Sequence, residues 1–204
     1  DTMVLFHNAN LTDINAVCEQ GLLPASVSRN YNWESNKRAD NSEDVVYLFS
    51  PKSKKNTFTE YGICLIEVDI DDANENELAC NDKHSNDYTE YVTQSVSPEQ
   101  IKAIYIPEIF KSRINEYTEL SEEALNKIVW CDMEAEIYDK YIPNPDNEYG
   151  FGGTHIYKKA DSKVLEKFVE TAPLNVTYFN YFRGVDDNRE MIELHNVIYI
   201  RKEG

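Results

Sequence analysis

The first half of the chain contains several short apolar runs and one segment whose apolar residues have helical spacing. Residues 3–6 form a compact apolar run, which predicts a strand. Asn10 is a favoured N-cap for the helical segment that follows, and Asp13 adds negative charge to its first turn. Gly21 and Pro24 predict the end of this helix. Its apolar positions are Leu11, Ile14, Val17 or Cys18, and Leu22.

Further apolar runs in the first half predict additional strands. Ser97 and Gln100, with Pro98 between them, form a capping box with proline at the first helical position, so a single helical turn is expected there. Residues 26–44 are polar and predict a long loop, of the kind that often carries function. The predicted strands are residues 45–49, 62–70, 90–96 and 101–106.

The second half mixes predicted helices and strands. Residues 121–128 and 161–171 have the pattern of helices, and residues 175–182 and 191–200 that of strands. A turn at residues 184–188 predicts a hairpin between those two strands. The stretch 143–153, rich in Pro, Asn and Gly, predicts a loop or linker.

These elements together predict an α+β fold. One division places a core domain in residues 1–115 and a C-terminal α+β part in residues 116–204. The alternative is that the C-terminal part completes the sheet of the first. The sequence pattern does not distinguish the two.

The acidic balance of the chain restricts its partners. It has 37 Asp and Glu against 20 Lys and Arg, a net charge of −17. Such a field repels nucleic-acid phosphates and anionic membranes, so broad nucleic-acid binding and membrane association are not expected. It suits a protein partner with a basic surface. A non-catalytic acidic interaction protein, such as a host or phage-type inhibitor or a nucleic-acid mimic, is therefore one hypothesis for function.

The cysteines give no sign of a metal site. None of the four lies in a CxxC pair, and no histidine lies at metal-ligand spacing from them. Cys18 and Cys64 sit within apolar patterns and are interpreted as buried thiols. No basic segment followed by an apolar run begins the chain, and no apolar stretch reaches the roughly 18 residues that a membrane span needs. We therefore expect a soluble, cytoplasmic protein.

Three segments carry the one constellation that suggests chemistry. His7 ends the first predicted strand, Tyr47 lies in the next, and Glu90 leads a later one. This order resembles the His-Tyr-Glu branch of the ADP-ribosyltransferases, most closely the DarT-type DNA ADP-ribosyltransferase toxins, with which the RNA 2′-phosphotransferases share ancestry. It covers residues 3–107, about half the chain. The helix after His7 contributes Asn10, Leu11, Ile14, Gly21 and Leu22 to the motif.

The resemblance implies a split mixed β-sheet with flanking helices and NAD as a substrate. His7 would hydrogen-bond a ribose hydroxyl of NAD, and the backbone at Asn8 would hold the nicotinamide amide. Tyr47 would stack on the nicotinamide ring. Glu90 would bind the 2′-hydroxyl of the nicotinamide ribose and stabilise the cationic sugar that forms as nicotinamide leaves. The acceptor of ADP-ribose could be protein, nucleic acid, a small molecule or water.

The resemblance also implies a cationic residue for the pyrophosphate of NAD. The family places an arginine between the first two motifs, and both Arg29 and Arg38 fall in that interval. The lysine cluster at residues 52–55 is a third candidate. The family often has Gly or Thr directly after the histidine, where this chain has Asn8 and Ala9.

Each of these residues also has an ordinary structural interpretation. Tyr47 suits any strand, and Glu90 could be a solvent-facing charge. A second acid pair, Glu134 and Glu136, has the Glu-x-Glu form of the other, Arg-Ser-Glu branch of ADP-ribosyltransferases, but the Ser-Thr-Ser strand of that branch is absent. If this stretch continues the helix predicted from Ser121, both are surface acids.

Overall fold

The protein is described by a computed structural model over residues 2–29, 43–52, 62–71, 78–81, 88–147, 152–171, 174–175 and 192–196. The α-helices are α1 (Ile14–Gln20), α2 (Ala25–Ser28), α3 (Glu122–Lys127) and α4 (Ser162–Thr171). Three 3-10 helices span Leu11–Asp13, Pro98–Gln100 and Glu108–Glu116. The strands are β1 (Thr2–Ala9), β2 (Val46–Pro51), β3 (Cys64–Asp71), β4 (Ala79–Asn81), β5 (Tyr88–Thr93), β6 (Ile101–Pro107), β7 (Ile128–Cys131), β8 (Met133–Ile142), β9 (Thr154–Lys159) and β10 (Ile192–Asn196).

The strands form two sheets. The larger has seven strands in the order β4-β5-β2-β1-β3-β6-β7, and the smaller has three in the order β10-β8-β9. Neighbouring strands are antiparallel except β6 and β7, which are parallel. The predicted α+β class is therefore confirmed: the chain has a mostly antiparallel open sheet and a few helices.

The seven-stranded sheet has two distinct faces, because successive side chains of a strand point to opposite sides. The helix face packs against α1, α3, α4 and the 3-10 helix Glu108–Glu116 in one large apolar core. The opposite side, here called the aromatic face, carries a smaller cluster. Its members are Phe6, Phe49 and Leu65, with Val4, Tyr88 and Tyr105 packed beside them.

The helix predicted after the first strand is present as a 3-10 turn continued by α1. Ile14 and Val17 are buried in the large core, as their spacing predicts. Gly21 ends α1 with φ 80°, a conformation that favours glycine. The next residue, Leu22, exchanges two backbone hydrogen bonds of 2.9 Å with Val96. This bridge ties the end of α1 to the segment that follows β5.

Two predicted helix starts are confirmed in detail. Ser97 and Gln100 form the expected capping box at Pro98. Ser121 caps α3 by accepting a hydrogen bond of 3.2 Å from the Ala124 backbone N–H. Both caps satisfy backbone donors that the first helical turn leaves without partners.

The condition under which Glu134 and Glu136 would be helical surface acids is not met. Helix α3 ends at Lys127, and both acids lie in β8, paired with β9 and β10. The chain leaves the helical conformation at Ile128, where a β-branched and aromatic run begins β7. The Glu-x-Glu pair is therefore part of the three-stranded sheet.

Several other elements differ from their predicted bounds. The short helix α2 lies in the segment predicted as a loop, and β4 was not predicted. Within the strand predicted at 191–200, the structure describes β10. The strand predicted at 175–182, apart from residue 175, and the turn at 184–188 lie outside the described residues.

The two predicted parts of the chain contribute to one sheet and one core. Strand β7 lies after residue 115, yet it pairs with β6 from Ile104↔Ile128 onward. Leu174 is fully buried in the same core cluster as Leu5. Arg113 donates a 2.7 Å hydrogen bond to the Val169 carbonyl oxygen in α4. Residues on both sides of the predicted boundary are thus packed together.

Candidate functional site

The three strands that carry His7, Tyr47 and Glu90 are adjacent in the sheet. Strand β2 pairs with β1 on one side and with β5 on the other. The strands lie side by side although β3 and β4 intervene between β2 and β5 in the sequence. The three segments singled out by sequence order are therefore brought together by the strand order.

Side-chain alternation divides these residues between the two faces. Tyr47 lies between Val46 and Leu48, both in the large core, so its side chain belongs to the aromatic face. Glu90 is the direct partner of Phe49 and belongs to the same face. His7 alternates with Phe6 and belongs to the helix face.

Glu90 lies within a row of paired positions across the sheet, between Phe49 of β2 and Asn81 of β4. The register pairs Glu90 with Phe49, Phe49 with Phe6, and Phe6 with Glu67. The rings of Phe6 and Phe49 have centroids 6.0 Å apart, and Tyr88 meets Phe49 edge-on at 5.9 Å. Glu90 is only 7% exposed. A carboxylate with so little exposure acts strongly on any nearby charge, because little water screens it.

Strands β1 and β2 barely pair. All eight residues of β1 pair with β3, but within these fully described strands only Phe6 pairs with β2, at Phe49. Beyond this pair, the His7 ring bonds to the backbone of β2, with Nδ1 2.7 Å from the Tyr47 carbonyl oxygen. We call the region around this contact, from His7 and Asn8 to Tyr47, the β1–β2 junction.

The protonation state of His7 follows from its surroundings. Burial lowers the pKa of His7 below its usual 6.5, opposed by the hydrogen bond to Tyr47 and by the charge of Asp13. The ring is therefore neutral at pH 7. Since a carbonyl oxygen only accepts, Nδ1 must carry the proton, and Nε2 presents a lone pair. Nε2 can thus accept a hydrogen bond from a hydroxyl group.

Two amide oxygens near His7 have no hydrogen-bond partner. They are Oδ1 of Asn8 and Oδ1 of Asn10, both closed to solvent. The Asn8 Nδ2 group lies 3.4 Å from the carbonyl oxygens of Gly62 and Cys64. Asn10 occupies the predicted N-cap position, but its side chain makes no capping hydrogen bond. Buried acceptors without partners are rare, so this pair needs an explanation.

Of the predicted pyrophosphate-binding residues, two are described. Arg29 follows α2 with φ 63°, a left-handed conformation, and is exposed. Lys52 is exposed after the end of β2. Arg38 and the other lysines of the 52–55 cluster lie outside the described residues.

An acidic pocket lies away from the β1–β2 junction. It has a volume of about 460 Å³ and is lined in part by Glu19, Glu99 and Glu123, with Lys127 and Cys18. Burial raises the pKa of the Cys18 thiol, opposed by the charge of Lys127. The thiol is therefore not activated as a nucleophile.

The described residues contain neither a metal-ligand cluster nor a membrane-spanning helix. No group of three or more His, Cys, Asp or Glu among them could hold a metal ion. None of the described helices is long and apolar enough to cross a bilayer. Cys18 and Cys64 are buried free thiols, as their apolar surroundings in the sequence predict.

No protein-family model matches the chain, and no curated protein or solved structure is significantly similar to it.

Some features of the site were not predicted from the sequence. The pairing of Phe6 with Phe49 and the unpartnered oxygens of Asn8 and Asn10 depend on strand register and backbone approach. The sequence did contain one indication that Asn8 is unusual. Asn is disfavoured in strands, yet Asn8 continues the strand that ends at Ala9.

Proposed function

We propose that the protein is an NAD-dependent ADP-ribosyltransferase with an ADP-ribosyltransferase-like sheet, acting at the β1–β2 junction and the adjoining aromatic face. One observation carries the proposal: β1, β2 and β5, which bear His7, Tyr47 and Glu90, are consecutive neighbours in the sheet. Local sequence patterns did not require that arrangement. The acceptor of ADP-ribose is not part of the proposal.

Glu90 has the surroundings that the reaction needs. Departure of nicotinamide leaves positive charge on the ribose, and a carboxylate beside it stabilises the transition state more than the ground state. Glu90 is 93% buried and adjoins Phe49, so water screens its charge weakly. In the proposed reaction it binds the 2′-hydroxyl of the nicotinamide ribose.

Tyr47 shares the aromatic face with Glu90. It lies two residues before Phe49 in β2, on the same face. A half-buried aromatic ring there is suited to stack on a planar leaving group and to fix its orientation. Such stacking holds nicotinamide in the orientation required for cleavage of its bond to the ribose.

His7 acts from the opposite side of β1. Its neutral ring donates from Nδ1 to the Tyr47 carbonyl oxygen. Since Tyr47 and Glu90 lie on the other face of the sheet, His7 serves in the proposal as a positioning residue that holds the backbone carrying Tyr47.

The test is nicotinamide release from NAD by wild type and by Glu90→Gln. The substitution keeps the size of the side chain and removes its charge. We expect turnover to fall roughly 100- to 1,000-fold, the usual effect of losing one group that stabilises transition-state charge. NAD binding, measured by calorimetry, should change far less than turnover.

Glu67→Gln is the matched control. It makes the same chemical change on the same face, beyond the Phe6 and Phe49 pair. Turnover by this variant should equal that of wild type. If wild type neither binds NAD nor releases nicotinamide, the enzyme proposal fails, and an acidic protein that binds a basic partner becomes the better interpretation.

A further inference from the structure

We propose that the acidic pocket beside α1 binds an arginine side chain of a partner protein. The pocket lies between the end of α1, the 3-10 turn Pro98–Gln100 and α3. This interaction surface is independent of the proposed NAD chemistry, because none of its lining residues belongs to the β1–β2 junction or to the aromatic face. Its volume of about 460 Å³ lies within the range of pockets that hold ligands.

Hydrogen bonds between distant segments hold the walls of the pocket in place. Leu22 and Val96 exchange two backbone hydrogen bonds of 2.9 Å, which fix the end of α1 beside the turn at Pro98. Lys127 of α3 donates a 2.8 Å hydrogen bond to the Pro98 carbonyl oxygen. Asn15 of α1 makes two hydrogen bonds of 2.8 Å to the segment that leads into α3. The three walls are thus joined without a ligand, so binding requires little ordering of the protein.

The acids at the rim of the pocket are not neutralised by the protein around them. Glu19, Glu99 and Glu123 are exposed, and no described residue forms an ion pair with their carboxylates. Lys127 is the only cation among the described lining residues, and its ammonium group already donates to a carbonyl oxygen. Three carboxylates therefore surround a single ammonium group, and the pocket attracts a further cation.

Glu19 occupies a position where a helix usually carries positive charge. It lies in the last turn of α1, Ile14–Gln20, and this turn has no basic residue. The C-terminal end of a helix carries partial negative charge, so an acid there is unfavourable. None of the described cations is paired with it. A bound guanidinium group would offset both the Glu19 carboxylate and the helix end.

The inner lining of the pocket favours arginine over lysine. Cys18 lines it while being only 4% exposed, and Pro98 is half-buried beside it. No described residue gives the Cys18 sulfur a hydrogen-bond partner, so the sulfur can accept weakly from an N–H group of a ligand. A guanidinium group is planar and weakly hydrated, so it packs well against such a surface while its N–H donors reach more than one carboxylate. An ammonium group is more strongly hydrated and should bind less tightly.

The arginine is expected to belong to a protein rather than to be a free small molecule. Free arginine carries a carboxylate, which the acids at the rim would repel. A polyamine lacks the planar group and loses more conformational freedom on binding. An arginine within a polypeptide brings the guanidinium group without its own carboxylate. The net charge of −17 also attracts basic protein surfaces to this protein.

The test titrates the tripeptide Ala-Arg-Ala, capped at both ends, into the protein and follows backbone amide shifts by NMR. Wild type should show saturable shifts at the pocket, around Glu19 and Asn126. Glu123→Lys replaces an attraction with a repulsion, so its affinity should fall about tenfold. Glu19→Lys should weaken binding similarly and yet raise the midpoint of thermal unfolding, because it places positive charge at the end of α1. A purely structural acid would not show these opposite effects.

Glu122→Lys is the matched control. Glu122 and Glu123 are neighbours in the first turn of α3 and both are exposed, but only Glu123 lines the pocket. The two substitutions change the net charge and the charge of the helix start equally. General attraction of a cationic peptide to an acidic protein therefore falls equally in both. The affinity of Glu122→Lys should stay within about twofold of wild type, because an exposed charge outside the pocket is screened by solvent.

Three comparisons would overturn the proposal. The first is equal weakening by Glu122→Lys and Glu123→Lys, which would indicate general charge attraction instead of a site. The second is equal binding of the peptide with citrulline, the neutral counterpart of arginine, in place of arginine. The third is tighter binding of spermine or of the lysine peptide than of the arginine peptide. An absence of saturable shifts at the pocket in wild type would also contradict it. All of these measurements are made without NAD, so they leave the proposed function untouched.

Discussion

At the residue scale, His7 makes stability depend on pH in a defined direction. Its pKa is lowered by burial in the folded chain from the 6.5 of an unfolded histidine. The unfolded state therefore binds the proton more tightly, and protonation favours unfolding. The stability contributed by neutral His7 is complete above about pH 6.5 and is lost as the pH falls below it.

The prediction is tested with His7→Gln, which does not titrate in this range. Urea unfolding of both proteins at pH 7.5 and pH 5 gives the change in unfolding free energy. Wild type should lose more stability than the variant on acidification. The carboxylates titrate in both proteins, so their effect cancels in the difference. An equal loss would contradict the buried, neutral state of His7.

The residue types predicted where a residue lies relative to a helix or strand better than they predicted its hydrogen bonds. Asn10 was predicted to precede the helix, and it does, but its oxygen makes no capping bond. Sequence shows that an asparagine is suited to that position. It does not show the close approach of Gly62, which encloses the amide from another part of the chain.

At the element scale, Gly21 offers a prediction with a close internal control. Gly21 and Gly152 have nearly equal φ, 80° and 79°. A Cβ atom at Gly21 would collide with the Val96 carbonyl oxygen, whereas at Gly152 the nearest atom is 3.9 Å away. Gly152→Ala should therefore cost about 1–2 kcal/mol from the left-handed backbone alone. Gly21→Ala should cost clearly more.

Thermal unfolding of the two variants measures this difference. Under the proposed function, Gly21→Ala should also impair NAD turnover, because it displaces the bridge between Leu22 and Val96 that follows β5. Gly152→Ala should keep wild-type turnover. Equal destabilisation by both substitutions would show that the contact at Val96 yields without cost.

Elements with a strong local period were predicted well, and β8 shows how one can be misread. In three elements the sequence pattern fits only one type of secondary structure. They are the capped turn at Pro98, helix α4 and strand β6. In β8, Met133, Ala135 and Ile137 alternate with acids, which is a strand period. A continuation of the preceding helix was considered for this stretch, but the helix ends at Lys127 and the alternation corresponds to a strand.

At the scale of the whole molecule, the order of strands could not be predicted from the sequence. A strand pattern records which face is apolar and leaves its neighbour unspecified. The position of β5 beside β2, rather than beside β6, follows from long-range packing and register. The candidate site depends on this order, so its residues could be named before the structure but their faces could not.

The shared core predicts one cooperative unfolding transition for both halves of the chain. Leu174 is fully buried with residues of β1 and β3, so Leu174→Ala should cost about 2–5 kcal/mol. The control, Val27→Ala, changes a side chain that is 64% exposed and should have little effect. Far-UV circular dichroism and tryptophan fluorescence should report the same shifted midpoint. If the main unfolding transition of Leu174→Ala has the same midpoint as that of wild type, the two halves do not share one core.

The bridge between Leu22 and Val96 closes the chain into a loop. Within that loop lie β2 and β5, and with them Tyr47 and Glu90. Lengthening a loop that is already closed costs little, because closure entropy grows only with the logarithm of loop length. The segments between these strands can therefore vary in length, while the bridge between Leu22 and Val96 keeps the ends of the loop together. Under the proposed function, insertions there would change substrate preference without altering the strand order of the sheet.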